Sequence, residues 1–216
     1  MTRLLQRLLR RGAAPVLLLA AGLLPLAAGL LVAAPAESAG QPWRAVITFD
    51  KNQQTPNRSV LTWRLSQRQA SGSWKVRETL HWRAGSGMGG RAGRNSCARN
   101  QGWLPDGSYR VRQYDDYPGN VIKGRAFRLD DHACPNGTRR TALFLHTEQG
   151  AGSRQCPDRP GDQACRWEVP KIDDYRSSGC IKLAPGDLAA LVRAYERHFA
   201  TGTRYPVQTV VLRVVS

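Results

Sequence analysis

Trp43-Arg44-Ala45-Val46-Ile47-Thr48-Phe49 puts Trp43, Ala45, Ile47 and Phe49 on one side of an extended chain and Arg44 and Thr48 on the other. A period of two is the mark of a half-buried strand. Working outward, residues 60–65 and 74–82 alternate in the same way, and Ala70-Ser71-Gly72-Ser73 between them supplies a hairpin turn. Residues 108–114, 121–129 and 141–146 read as further strands, with Tyr117-Pro118-Gly119-Asn120 turning the chain between the first two. One helix stands out. After Pro185-Gly186-Asp187, the residues Leu188, Leu191, Val192, Tyr195 and Phe199 recur at helical spacing, with Arg193, Glu196 and Arg197 between them. Residues 207–215 alternate again as a closing strand. The expected fold is mainly β, a sandwich or partly closed barrel with one principal helix packed against it.

The N-terminal 36 residues read differently. Arg3, Arg7, Arg10 and Arg11 precede an uncharged apolar run that ends in the small residues Ala34 and Ala36. This is the pattern of an export signal, either cleaved or retained as a membrane anchor, and Gly22, Pro25 and Gly29 favour cleavage. Both outcomes place residues 37–216, expected to form one catalytic domain, outside the cytoplasm. The formal net charge is +16, and losing the four leader arginines leaves +12. Such a balance favours an anionic partner. In an exported protein this points to cell-envelope polymers and stem-peptide carboxylates rather than nucleic acid, with membrane contact only if the leader stays attached.

The chain has five cysteines: Cys97, Cys134, Cys156, Cys165 and Cys180. Exported domains pair their thiols, so an odd number leaves one over. Nearness favours Cys156 with Cys165 and Cys97 with Cys134, although four thiols allow three pairings. The spacings lack the close Cys-x-x-Cys pairs of a structural zinc site, and no metal or cofactor is expected. Cys180, in Ser177-Ser178-Gly179-Cys180-Ile181-Lys182-Leu183, is then the free thiol and the candidate nucleophile. A thiol needs a base or a cation beside it. His146 ends the apolar run Leu143-Phe144-Leu145 and is the best placed base; His81, His132 and His198 fall in an alternating strand, an Asp-rich turn and a helix end.

Gly179 lets the backbone turn sharply and lets its amide, with that of Cys180, face a developing oxyanion. Ser177 and Ser178 are candidates for orienting the imidazole or donating to substrate, or for capping a turn. Arg176 and Lys182 bracket the segment with positive charge, Arg176 being the candidate for a substrate carboxylate. The glycine-rich residues 84–95 read as a mobile loop near the site. Asp115-Asp116, Asp130-Asp131 and Asp173-Asp174 read as solvated turns, lacking the spacing of a calcium loop.

These residues resemble the catalytic domain of the L,D-transpeptidase (YkuD) family, in which a histidine precedes a Ser-His-Gly-Cys segment followed by an aliphatic residue. Ser177, Gly179, Cys180 and Ile181 match, and Ser178 stands where the second histidine is usual. Leu143-Phe144-Leu145-His146 is similar to the strand that carries the family's catalytic histidine, and Leu104-Pro105-Asp106-Gly107-Ser108-Tyr109 to its strand lead-in. Thr147 replaces a glycine, and the interval from His146 to Cys180 is roughly twice the usual one, an excess that a Cys156–Cys165 loop accounts for.

The resemblance implies a β-rich fold and peptidoglycan as substrate. Cys180 attacks the carbonyl of a diamino acid in a stem tetrapeptide, releases the terminal D-alanine and passes the acyl group to an amine, or to water in a carboxypeptidase. A competing expectation is a non-catalytic envelope-binding module that grips anionic polymer with basic charge and aromatic residues such as Trp63, Trp74 and Trp82.

Overall fold

The computed structural model describes residues 42–216, so the expected leader lies outside the described residues. β1 (Trp43–Asp50) pairs antiparallel with β2 (Ser59–Arg68), which pairs antiparallel with β3 (Trp74–Ala84). Alternation decides which face each presents: Ala45, Ile47 and Phe49 of β1 and Leu61, Trp63 and Leu65 of β2 are buried, while the residues between them reach outward. A short helix, α1 (Gly90–Arg94), follows β3.

The strand expected over 108–114 divides in two. β4 (Gly107–Tyr109) belongs to the first sheet and β5 (Val111–Pro118) to the second, and the chain crosses between sheets at Arg110. Tyr109 and Val111 are both buried, so the apolar parity continues across the bend, and Arg110 on the other parity bonds Asp130 outside the core. β6 (Lys123–Leu129), the small hairpin of β7 (His132–Ala133) and β8 (Arg139–Arg140), β9 (Phe144–His146) and β10 (Ile181–Lys182) follow. β9 is shorter than expected because Ala142, at φ +53°, takes the chain out of extended conformation just before it. Helix α2 (Pro185–Glu196) and β11 (Val210–Val215) complete the chain.

The first sheet has the order β3-β2-β1-β11-β4 and the second β10-β9-β6-β5. β1 and β11 run parallel although far apart in sequence. Pro185 and Asp187 suit the first turn of α2, where proline loses no helical hydrogen bond and an acid meets the positive end of the dipole. Leu188, Leu191, Val192, Ala194 and Tyr195 are buried, and Tyr195 meets Phe127 of β6 edge-on at 5.3 Å between centroids. One core unites the inward faces of both sheets with α2; each fully buried leucine in it contributes roughly 1.5–3 kcal/mol. The architecture is a mainly β sandwich with one principal helix. The sheets meet at an isolated bridge between Gly85 and Lys182 and do not close into a barrel.

Candidate active site

β9 and β10 run side by side in parallel, with Leu145 opposite Ile181 and His146 opposite Lys182. Leu145 and Ile181 are fully buried in the core. Alternation therefore turns His146 and Lys182 to the opposite face, and Cys180, two residues before Lys182, shares that face. There the three line one cleft of about 470 Å³, together with Glu148, Asp174, Arg176, Ser177, Ser178 and several apolar side chains.

Cys97 is bonded to Cys134 and Cys156 to Cys165, the pairing that nearness favours, and Cys180 is a free thiol. Such bonds persist in oxidising compartments. The half-buried Cys180 Sγ hydrogen-bonds the carbonyl of Ala142 at 3.7 Å. Burial pushes the thiol up to about 11, with the Phe144 amide, Lys182 and Arg140 opposing the shift. The His146 ring is buried, and burial pushes it down to about 4, reinforced by Lys182 and opposed by a bond to the Thr147 carbonyl. Imidazole and thiol are thus both neutral at pH 7. His146 Nδ1 lies 2.9 Å from Thr147 O, an acceptor only, so Nδ1 carries the proton and Nε2 holds the free lone pair.

Ser177 acts on the backbone of the turn. Its Oγ donates to Cys180 O at 2.5 Å and accepts from the amides of Gly179 at 3.2 Å and Gly87 at 3.3 Å. Ser178 is exposed, and its carbonyl accepts from Arg140 Nη2 at 3.1 Å. Arg176 sits at the rim and pairs with Asp173 at 3.4 Å. The glycine-rich segment is tied down on several sides: Gly85 exchanges backbone bonds with Lys182, Gly87 O accepts from the Ser177 amide, and Met88 N–H donates to Gln101 O. It also includes α1, which its glycines hide from a sequence reading.

Sequence reasoning passed over Arg140. This guanidinium is buried, has no carboxylate partner among the described residues, and donates to the carbonyls of Ser96, Gly102, Trp103 and Ser178. It packs directly against Gly179, whose φ is +125° and on which a Cβ would lie 2.0 Å from Arg140 Nη2. Only glycine fits there. Four bound carbonyls hold Arg140 in place, and Arg140 holds the turn before Cys180.

Two readings are corrected. Asp174 is 2 % exposed and accepts the Glu168 amide, so Asp173-Asp174 is not a solvated turn. The ammonium of Lys182, which brackets the segment with positive charge, bonds Glu148 within the cleft. Trp63 cannot grip a polymer, because it lies fully buried with its indole N–H on Glu78. Glu148 and Lys182 had a sequence signal in lying two residues from His146 and Cys180. Arg140 had none.

No known protein family matches this chain, and no curated protein does. Among solved structures, it is similar to the helical cell shape determining protein Pgp2 from Campylobacter jejuni, with 14 % identity and a TM-score of 0.44 over 80 % of this chain. The chain spans about half of that protein, 47 % of its length.

Proposed function

We propose that this protein is an extracytoplasmic cysteine acyltransferase acting on peptidoglycan stem peptides, an L,D-transpeptidase. The observation that carries the reading is the meeting of the unpaired thiol and a tautomer-fixed imidazole in one cleft. The two disulfides fit an oxidising compartment, and the residues around Cys180 and His146 resemble the family's motifs.

In this reading Cys180 Sγ attacks the carbonyl of the diamino acid while His146 Nε2 takes the thiol proton. Proton transfer accompanies attack because both groups start neutral. The imidazolium then protonates the departing D-alanine nitrogen as the carbon–nitrogen bond breaks, leaving a thioester on Cys180. An amine attacks the thioester, its surplus proton passes through His146 to the leaving sulfur, and the amide product departs. Water in place of the amine gives the carboxypeptidase reaction. Cys180 and Gly179 amides face the oxyanion, the latter exchanging its bond to Ser177; a donor of this kind is worth about 3 kcal/mol.

The test is acylation by a carbapenem, read as intact mass. A one-to-one adduct is expected on the wild type and none on Cys180→Ala; a bare wild type, or equal labelling of both proteins, sinks the proposal. Disaccharide-tetrapeptide substrate with and without an amine acceptor then separates transfer from hydrolysis. The non-catalytic alternative draws on a depression of about 550 Å³ lined by Arg110, Arg112, Arg128 and Arg204 beside Asp130 and Asp131. It requires salt-sensitive binding to wall material and no adduct.

A further inference from the structure

Glu148 and Asp174 are 7 % and 2 % exposed, and each has one carboxylate oxygen already engaged: Glu148 Oε1 by the Lys182 ammonium, Asp174 Oδ2 by the Glu168 amide. Their other oxygens, Glu148 Oε2 and Asp174 Oδ1, have no hydrogen-bond partner among the described residues. Asp162, at the surface, joins them, and one oxygen from each of the three acids lies within 4.8 Å of the others. Three carboxylates thus face one ammonium. Burial pushes Glu148 up to about 7 against the opposing Lys182 ammonium, and burial raises Asp174 as well, with the neighbouring acids adding to both shifts.

All three acids line the cleft that holds Cys180 and His146. Met88, Val121, Ile122 and Ile172 supply apolar wall in the same cleft. Acidic floor and apolar wall together define the chemistry of the occupant: an alkyl chain ending in a cation with several protons to donate. A divalent ion would use the oxygens and leave the apolar wall without purpose. A primary ammonium fits both, because it donates to two or three carboxylate oxygens while its methylenes cover the apolar side chains.

We propose that Glu148 and Asp174, with Asp162 at the rim, form a subsite for the primary ammonium of an aliphatic side chain, that of the diamino acid in the stem peptide. This rests on the stem-peptide reading above, and it adds the residues that distinguish a free amine from a blocked one. The ammonium can belong to the donor peptide or to the acceptor.

Binding is measured on full-length Cys180→Ala protein, so that no turnover is needed. The probes are two synthetic stem tetrapeptides identical except for lysine or Nε-acetyl-lysine at the third position. The lysine peptide should bind at least about tenfold more tightly, the worth of one charge-assisted hydrogen bond. Asp174→Asn, and separately Glu148→Gln, should erase most of that preference and leave the acetylated peptide unchanged.

Equal affinity for the two peptides, equal loss of both on substitution, or no binding of either overturns the subsite. So does saturable one-site binding of Mg²⁺ or Ca²⁺ that Asp174→Asn abolishes. The wild-type comparison of the two peptides needs no acid variant, so misfolding of a variant cannot mask the answer. In active protein, an Asp174→Asn defect in hydrolysis without acceptor assigns the ammonium to the donor, and a defect confined to transfer assigns it to the acceptor. Carbapenem labelling reads the nucleophile independently: labelling without lysine preference overturns the subsite alone, and lysine preference without labelling overturns the enzyme while leaving an amine-recognising site.

Discussion

The two sheets of this sandwich are built on different terms. In the first, β1, β2 and β3 are eight, ten and eleven residues long, and alternation sorts their inward side chains except around the register shift at Leu65/Ser66. In the second, β9 has three residues and β10 two, yet these are the strands that carry His146 and lead out of Cys180. Strands so short cannot specify their own register. They are fixed from outside, by Arg140 on the carbonyls of Gly102 and Ser178, by Ser177 on the turn, and by Gly85 on Lys182. The first sheet is held by its own side-chain periodicity, and the β9–β10 edge of the second by polar contacts from residues far away in sequence.

Trp63→Ala should break the comparison most severely from the side of the first sheet. Trp63 is fully buried at the centre of β2, meets Phe199 edge-on at 6.3 Å, and is among the largest core side chains. Truncation should cost about 3–5 kcal/mol, and chemical denaturation should show it as a lower midpoint for the whole domain. Loss of carbapenem labelling should then track unfolding. A variant that unfolds normally but labels poorly would mean that the first sheet shapes the site directly.

Gly179→Ala probes the other side. Its positive φ and the overlap of a Cβ with Arg140 confine the strain to the turn before Cys180. The expected cost is about 1–3 kcal/mol, smaller than for Trp63→Ala. Acylation should slow markedly in protein that remains folded at 25 °C. Unchanged labelling kinetics would mean that the contact of Arg140 with Gly179 does not position the thiol.

The same contrast explains what was legible in the sequence. Seven strand regions, the helix over Pro185–Glu196 and the odd thiol each leave a local mark, whether a period, a proline at a helix start or a count. The division of residues 108–114 between two sheets left none, because Arg110 in a bend and Arg110 in a strand have the same neighbours in sequence. Burial of Arg140, Glu148 and Asp174 was equally invisible. Each is a charged residue whose environment comes from segments tens of residues away or from a partner such as Lys182, and Asp173-Asp174 taken locally has the composition of a surface turn. Residues that organise the candidate site by polar contact are thus the ones that periodicity overlooks.

The smallest expected effect is a pH dependence of stability in which two groups of the second region oppose each other. His146 titrates near 4 in the folded protein against an ordinary 6.5, so between these values the unfolded chain binds more protons and raising the pH stabilises the fold. Glu148 titrates near 7 against an ordinary 4.5, so between these values the folded protein binds more protons and raising the pH destabilises it. From pH 4.5 to 6.5 the two contributions partly cancel. Glu148→Gln removes the second and keeps the first, so its unfolding free energy, measured in urea at constant ionic strength, should rise more steeply over that interval than that of the wild type. His146→Gln should do the reverse, with stability falling as the pH rises. Parallel curves for all three proteins would mean that neither group changes environment on folding, and the polar contacts that set the second sheet apart would then carry none of its pH response.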